Sequence, residues 1–324
     1  MTTTEATPHT AALARLDALP AQGVWSPVLT PIDACYEVDT PRFLAQARWV
    51  LDQGCHGLAL FGTTSEANSF SGEERMALLD AAIEAGLPAD QMMIGSGACA
   101  ITDATRLTQH AMSHGVQRML MLPPFYYKDM TDEGLARAFG AVIERINNPE
   151  LRVFLYHFPK LSGVPITLGL LDLLTERYGD TIAGVKDSSG DWSNTEAMIE
   201  RFPSLAIFPG SEVSLLQGLE AGGAGCITAT SNVNARGARD VWDAWIDGDA
   251  ETATSRQVVA TGLRRAIEAE PLVPAQKYLL ASGRGDEAWR TVRPPMVELT
   301  NAEGSALLEG VQAAGFDPAS LALA

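Results

Sequence analysis

Apolar runs recur along the chain at residues 24–29, 56–61, 92–94, 117–122, 152–158, 182–185, 205–208 and 225–228. Each is followed by Gly, Ser, Thr or Pro and then by a stretch whose apolar positions keep a helical spacing: 41–53, 72–85, 103–114, 131–147, 168–178, 194–201 and 214–221. Runs this short, closed by turn residues, predict strands alternating with helices. Successive strands begin roughly 20 to 35 residues apart, the length of one strand-loop-helix-loop unit, and right-handed repetition of that unit closes as a (β/α)8 barrel. A doubly wound sheet is the rival, but it usually carries a Gly-rich turn after its first strand. Here the first run ends in Leu29-Thr30-Pro31-Ile32-Asp33, with no GxGxxG.

Residues 235–324 predict more helix than one barrel needs, with breaks near Pro271, Pro274 and Pro294-Pro295. The expected division is therefore an N-terminal extension at 1–21 with a short helix at 11–18, an α/β unit of the (β/α)8 TIM-barrel class at 22–245, and a C-terminal helical region at 246–324.

Composition narrows the function classes. With 324 residues, 46% of them hydrophobic, the chain can bury a large core. Its net charge of −17 opposes nucleic acid and anionic membrane surfaces, which are bound through positive patches. No apolar stretch approaches the roughly 20 residues of a membrane span, and the first 22 residues lack the basic and apolar regions of a signal peptide, so a cytoplasmic location is expected. Cys35, Cys55, Cys99 and Cys226 have no CxxC spacing and read as reduced core thiols.

The candidate chemistry starts at Lys186. The chain has four lysines, and this one closes the apolar run Ile182-Ala183-Gly184-Val185 ahead of Asp187-Ser188-Ser189-Gly190. Burying an ammonium is costly unless it is paired or deprotonated, and a deprotonated amine attacks carbonyl carbon. Alone, such a residue is read more simply as a strand-end lysine that snorkels to solvent. Other polar groups fall at the same end of the predicted strands, where the active sites of such barrels are built: Gly62-Thr63-Thr64-Ser65-Glu66, Pro123-Pro124-Phe125-Tyr126-Tyr127, Tyr156-His157-Phe158-Pro159 and Pro209-Gly210-Ser211-Glu212. Taken singly, the first is an ordinary turn and helix cap and the tyrosines are packing residues. Their shared placement is what favours a lysine-dependent site.

These motifs, with Val185-Lys186-Asp187-Ser188-Ser189-Gly190-Asp191 and residues 222–228, resemble those of the dihydrodipicolinate synthase and N-acetylneuraminate lyase superfamily of class I pyruvate-dependent aldolases, in order and spacing. The resemblance implies that Lys186 forms a Schiff base with pyruvate or another 2-oxo acid and that Tyr156 relays protons. It implies that Thr63 links the tyrosines and, with Thr64, lies near the substrate carboxylate, while Gly210 and Ile227 lie near the bound ketoacid. It further implies that Tyr127 is lent to a neighbouring subunit's site in a homotetramer built from tight dimers, and that no metal or organic cofactor takes part. Glu212 matches an acidic position that contacts the polyol tail of sugar acids in the lyases.

Departures from the pattern bear on the substrate. The synthase branch carries an arginine two residues after the motif at 156–159, for the incoming aldehyde's carboxylate; this chain has Leu161, and only Lys160 stands near it. Ser65 replaces a glycine, so that turn must accommodate a Cβ. The expected activity is a lyase or aldolase acting on pyruvate or a 2-keto-3-deoxy acid, with 4-hydroxy-tetrahydrodipicolinate synthesis or a 2-oxo acid dehydratase or deaminase as alternatives and a ketoacid-binding sensor as the non-enzyme alternative. An aldehyde is a possible second substrate. His110 and His114 have the spacing of a chelating pair, but no glutamate lies between them and no carboxylate is evident in the local sequence, which favours a solvated helix face. His56 is expected to be a structural histidine at the end of the barrel opposite the site.

Overall fold

The computed structural model describes residues 8–323; residues 1–7 of the expected N-terminal extension, and Ala324 of the expected C-terminal region, lie outside the described residues. The strands are β1 (Gly23–Ser26), β2 (Gly57–Leu60), β3 (Met92–Gly95), β4 (Arg118–Met121), β5 (Arg152–His157), β6 (Ile182–Asp187), β7 (Ala206–Pro209) and β8 (Gly225–Ile227). All pair in parallel, in the order β7-β6-β5-β4-β3-β2-β1-β8. At the remaining seam, between β7 and β8, Ala224 N donates to Ile207 O at 2.9 Å. This is the expected TIM barrel. Strand residues are buried on both faces, as they must be in a parallel sheet covered by helices. Where β1 and β8 meet, Gly225 has φ of +124°, and a Cβ there would stand 2.1 Å from Gly23 O, so only glycine closes the ring.

Helix α1 (Pro8–Asp17) precedes the barrel, and α2 (Thr40–Asp52), α3 (Gly72–Glu84), α4 (Ile101–Ser113) and α5 (Asp132–Ile146) follow β1 to β4 in turn. The one-turn α6 (Pro159–Ser162) and α7 (Leu168–Tyr178) follow β5, α8 (Trp192–Arg201) follows β6, α9 (Leu215–Glu220) follows β7, and α10 (Ser231–Ile246) follows β8. Side chains of Asp39, Ser71, Thr131, Thr167 and Asp191 accept first-turn backbone N–H groups and so set where α2, α3, α5, α7 and α8 begin. Ser71 and Glu74 complete a reciprocal capping box.

The chain ends with α11 (Ala250–Ile267), α12 (Leu272–Arg284) and α13 (Asn301–Ala313), the expected C-terminal helices. The break anticipated at Pro274 is absent. Pro274 lies in the first turn of α12, where a backbone N–H has no intrahelical partner to lose. The cysteine reading also needs correction. Cys55 and Cys226 are buried, but Cys35 and Cys99 are exposed, because each lies in a loop beyond the apolar run that suggested burial. No described helix is long and apolar enough to cross a membrane.

Candidate active site

Lys186 and Tyr156 stand in register on β6 and β5, and so do their neighbours Asp187 and His157. Side chains alternate along a strand, so the two pairs take opposite faces. Asp187 faces the helical layer, where its carboxylate accepts from Thr195 Oγ1 (2.7 Å), Asn194 Nδ2 (2.9 Å) and Ser189 N (2.8 Å). His157 accepts from Ile166 N through Nδ1 at 2.8 Å, and burial pushes its pKa down against the opposing pull of Asp187. Lys186 and Tyr156 are thereby turned to the barrel interior, both 3% exposed.

There the Lys186 ammonium lies 4.3 Å from the centroid of the Tyr156 ring, a cation–π contact of about 0.5–2 kcal/mol that partly offsets the cost of burying the charge. Among the described residues no ion pair reaches Lys186: the buried carboxylates Glu66 and Glu212 are engaged with Lys277 and Arg264 instead. The Tyr156 hydroxyl donates to Thr63 Oγ1 at 3.3 Å. A lysine, a phenol and a hydroxyl are thus linked at the carboxyl ends of β6, β5 and β2, the end where barrel enzymes place their chemistry.

Thr63 and Thr64 are held by the turn after β2. Its left-handed residues are Phe61 (φ 59°) and Glu66 (φ 58°), and neither is Ser65, so the extra Cβ there causes no backbone strain. The Ser65 hydroxyl instead donates to Val28 O at 2.6 Å, while Ser65 O accepts from Thr30 Oγ1 at 2.9 Å. Gly210 N donates to Asp187 O at 2.6 Å, and a Cβ on Gly210 would lie 2.1 Å from Ser188 Oγ. That approach brings the loop after β7 against the Lys186 strand. Ile227 ends β8, fully buried and paired with Trp25.

Two further expected site residues are engaged elsewhere within this chain. Tyr127 stands 70% exposed at the surface, edge-on to Tyr126 with ring centroids 5.3 Å apart. Glu212 is buried, and its carboxylate accepts from the hydroxyls of Thr228 and Thr230, with Arg264 Nη1 at 3.4 Å. Leu161 and Lys160 are both exposed on α6.

Several supporting residues escaped the sequence reading. Lys277, fully buried on α12, is ion-paired with Glu66 and donates to Thr291 O at 2.8 Å, while Arg293 N donates to the other Glu66 oxygen at 2.9 Å. Lys128 donates to Phe125 O and Ser162 O and so ties the loop after β4 to the one after β5. Arg75, its pKa pushed down to about 10 by burial, donates to Gly95 O and lines a small cavity beside Thr63, Asn68 and Tyr156. The only signal for these was the scarcity of lysine and the rarity of buried charge without a partner; their partners lie too far along the chain for spacing to find.

Comparison with known proteins agrees with this geometry. The profile of the Dihydrodipicolinate synthetase family matches residues 20–314. An uncharacterized DapA-like lyase of Chloroflexus aurantiacus is 34% identical over 288 residues, 88% of this chain and 94% of its own. The crystal structure of dihydrodipicolinate synthase from Agrobacterium tumefaciens superimposes with a TM-score of 0.82 at 31% identity, covering 90% of this chain and 98% of that one. A prophage protein of the dihydrodipicolinic acid synthase family from E. coli K12, solved in complex with pyruvate, also reaches 0.82, at 25% identity over 91% of this chain and 99% of that one. With its barrel, its strand-end lysine and these relatives, the chain belongs to the dihydrodipicolinate synthetase family of carbon–carbon lyases.

Proposed function

We propose that the protein is a Schiff-base-forming aldolase or lyase acting on pyruvate or a 2-keto-3-deoxy acid, with Lys186 as the nucleophile. The observation that carries this reading is a lysine buried at a strand end against a tyrosine ring, with no carboxylate among the described residues ion-paired to it and a hydrogen bond from that tyrosine to the Thr63 hydroxyl. Lys186 first gives up its ammonium proton by way of Tyr156; the free amine adds to the C2 carbonyl of the ketoacid, and the carbinolamine loses water to give an iminium. The iminium then accepts the electron pair released when the bond from C3 to C4, or to a C3 proton, breaks, forming an enamine. Tyr156 carries protons in these steps, passing them along its hydrogen bond to Thr63. Thr63 and Thr64 receive the substrate carboxylate, and Gly210 and Ile227 bound the ketoacid. The electron sink is the iminium itself, so the reaction needs no metal or organic cofactor.

A relative solved with pyruvate supports that ketoacid as a ligand. The exposed Leu161, where the synthases present an arginine, disfavours an aldehyde bearing a carboxylate and therefore 4-hydroxy-tetrahydrodipicolinate synthesis. Glu212 reaches a substrate tail only if Thr228 or Thr230 gives up its hydrogen bond. The exposed Tyr127 fits a group lent to a partner subunit in a homotetramer of tight dimers, and the enzyme is read as a cytoplasmic one.

Borohydride reduction in the presence of pyruvate, followed by intact-mass measurement, tests the reading. The expected result is one adduct per chain, absent in Lys186→Ala. A folded wild-type protein that gains no mass with pyruvate or with larger 2-oxo acids would overturn it.

A further inference from the structure

Helices α3 and α4 pack side by side, and near their C-terminal ends Asp80, His110 and His114 converge. The local sequence offered the two histidines no carboxylate; the neighbouring helix supplies one. His110 Nε2 lies 2.8 Å and His114 Nε2 2.7 Å from the same oxygen, Asp80 Oδ1, and His110 Nε2 also faces Met76 O at 3.3 Å. The two rings meet edge to face with centroids 4.9 Å apart. All three side chains are half-buried, which restricts their rotamers while leaving an open side to solvent.

We propose that this group is a binding site for a first-row divalent transition metal of the zinc class, which clips α3 to α4. Two imidazoles four residues apart on one helix, with a carboxylate from another element, form the donor set that such metals prefer over magnesium or calcium, whose ligands are all oxygen. The donor atoms lie within 4.8 Å of one another. The two nitrogen–oxygen spacings of 2.7 and 2.8 Å fall short of the edge of about 3.3 Å that a tetrahedron with bonds of about 2.0 Å requires, so small side-chain rotations that open them admit the ion. Three protein ligands leave the fourth position to water. The surrounding protein, at −17, attracts cations.

The location assigns the role. His114 caps the end of α4, four residues before β4 begins at Arg118, so the site belongs to the end of the barrel opposite Lys186, where groups act on stability rather than chemistry. A metal bound there stabilises the folded chain by an amount that grows with the logarithm of its free concentration above the Kd. It takes no part in the reaction proposed for Lys186.

The test uses the full, untagged chain freed of metal with chelator, titrated with Zn(II), Co(II) and Mg(II) by calorimetry and followed by thermal unfolding. The expected result is one Zn(II) per chain, an unfolding midpoint raised by several degrees, and a visible Co(II) absorption band of tetrahedral intensity. His110→Gln/His114→Gln, and separately Asp80→Asn, are expected to stay folded and weaken Zn(II) by at least about tenfold, the scale on which even outer-sphere partners act. Wild-type protein that takes up no Zn(II), prefers Mg(II), or binds Zn(II) as well as the double variant does would overturn the proposal and leave an ordinary carboxylate accepting two imidazole hydrogen bonds.

Discussion

Single residues here are read through what their neighbours allow. Ser65 occupies a position that suggested a strained turn, yet the left-handed conformations fall on Phe61 and Glu66 and the serine hydroxyl becomes a tie to the loop after β1. His56 was legible as structural: its Nδ1 accepts from Val24 N at 2.9 Å and its ring packs on Trp242. Burial, with Arg239 nearby, pushes its pKa from 6.5 down to about 4. The unfolded chain therefore binds more protons than the folded one between those values, and stability falls as pH falls through that window. The expected loss from this residue between pH 7.5 and 5 is on the order of 1–2 kcal/mol. His56→Gln, which keeps an acceptor for Val24 N without titrating, should flatten that part of the curve; urea unfolding at the two pH values measures it, and unchanged pH dependence would count against the assignment. The carboxylates respond lower. Glu74, held at about 2 by Arg293, loses its contribution only as pH falls from 4.5 towards 2.

At the scale of elements, α12 and the segment after it are part of the candidate site's architecture. The turn carrying Thr63 and Thr64 ends in Glu66, and Glu66 is gripped by Lys277 of α12 and by the backbone of Arg293. The Arg293 side chain adds contacts to Ser69 O, Tyr36 O and Glu74, so the segment after α12 straps the turn to the barrel. Lys277→Met leaves Glu66 buried without its counter-charge, a change that costs about 3–5 kcal/mol in such settings. The expected outcome is a lower unfolding midpoint and reduced pyruvate adduct formation, with Glu66→Gln/Lys277→Met recovering part of the stability. A Lys277→Met protein as stable as the wild type would show that the pair is energetically idle. Neither partner announced the other: 211 positions separate them, and the α12 pattern shows only an amphipathic helix that contains an unexpected proline.

At the scale of the molecule, Tyr126 and Tyr127 stand exposed together, with Leu161 also exposed on the loop that Lys128 ties to theirs. Large apolar side chains exposed together are a feature of interaction surfaces, which suits the proposed tight dimer. Sedimentation is expected to give a tetramer, and a monomer at micromolar concentration would leave Tyr127 without its proposed role. The sequence by itself determined the eight strands to within three residues and the order of the elements, because apolar periodicity and turn chemistry are local, and it pointed to Lys186, Tyr156 and Thr63, which the fold brings together where strands end. Only the tertiary structure decided that Glu212 is held by Thr228, Thr230 and Arg264, that Lys277 secures the Thr63 turn, and that Asp80 joins His110 and His114. The physical reason is the same in each case: a buried or half-buried charge takes its partner from whichever element the fold packs against it, and closing the barrel, not spacing along the chain, chooses that element.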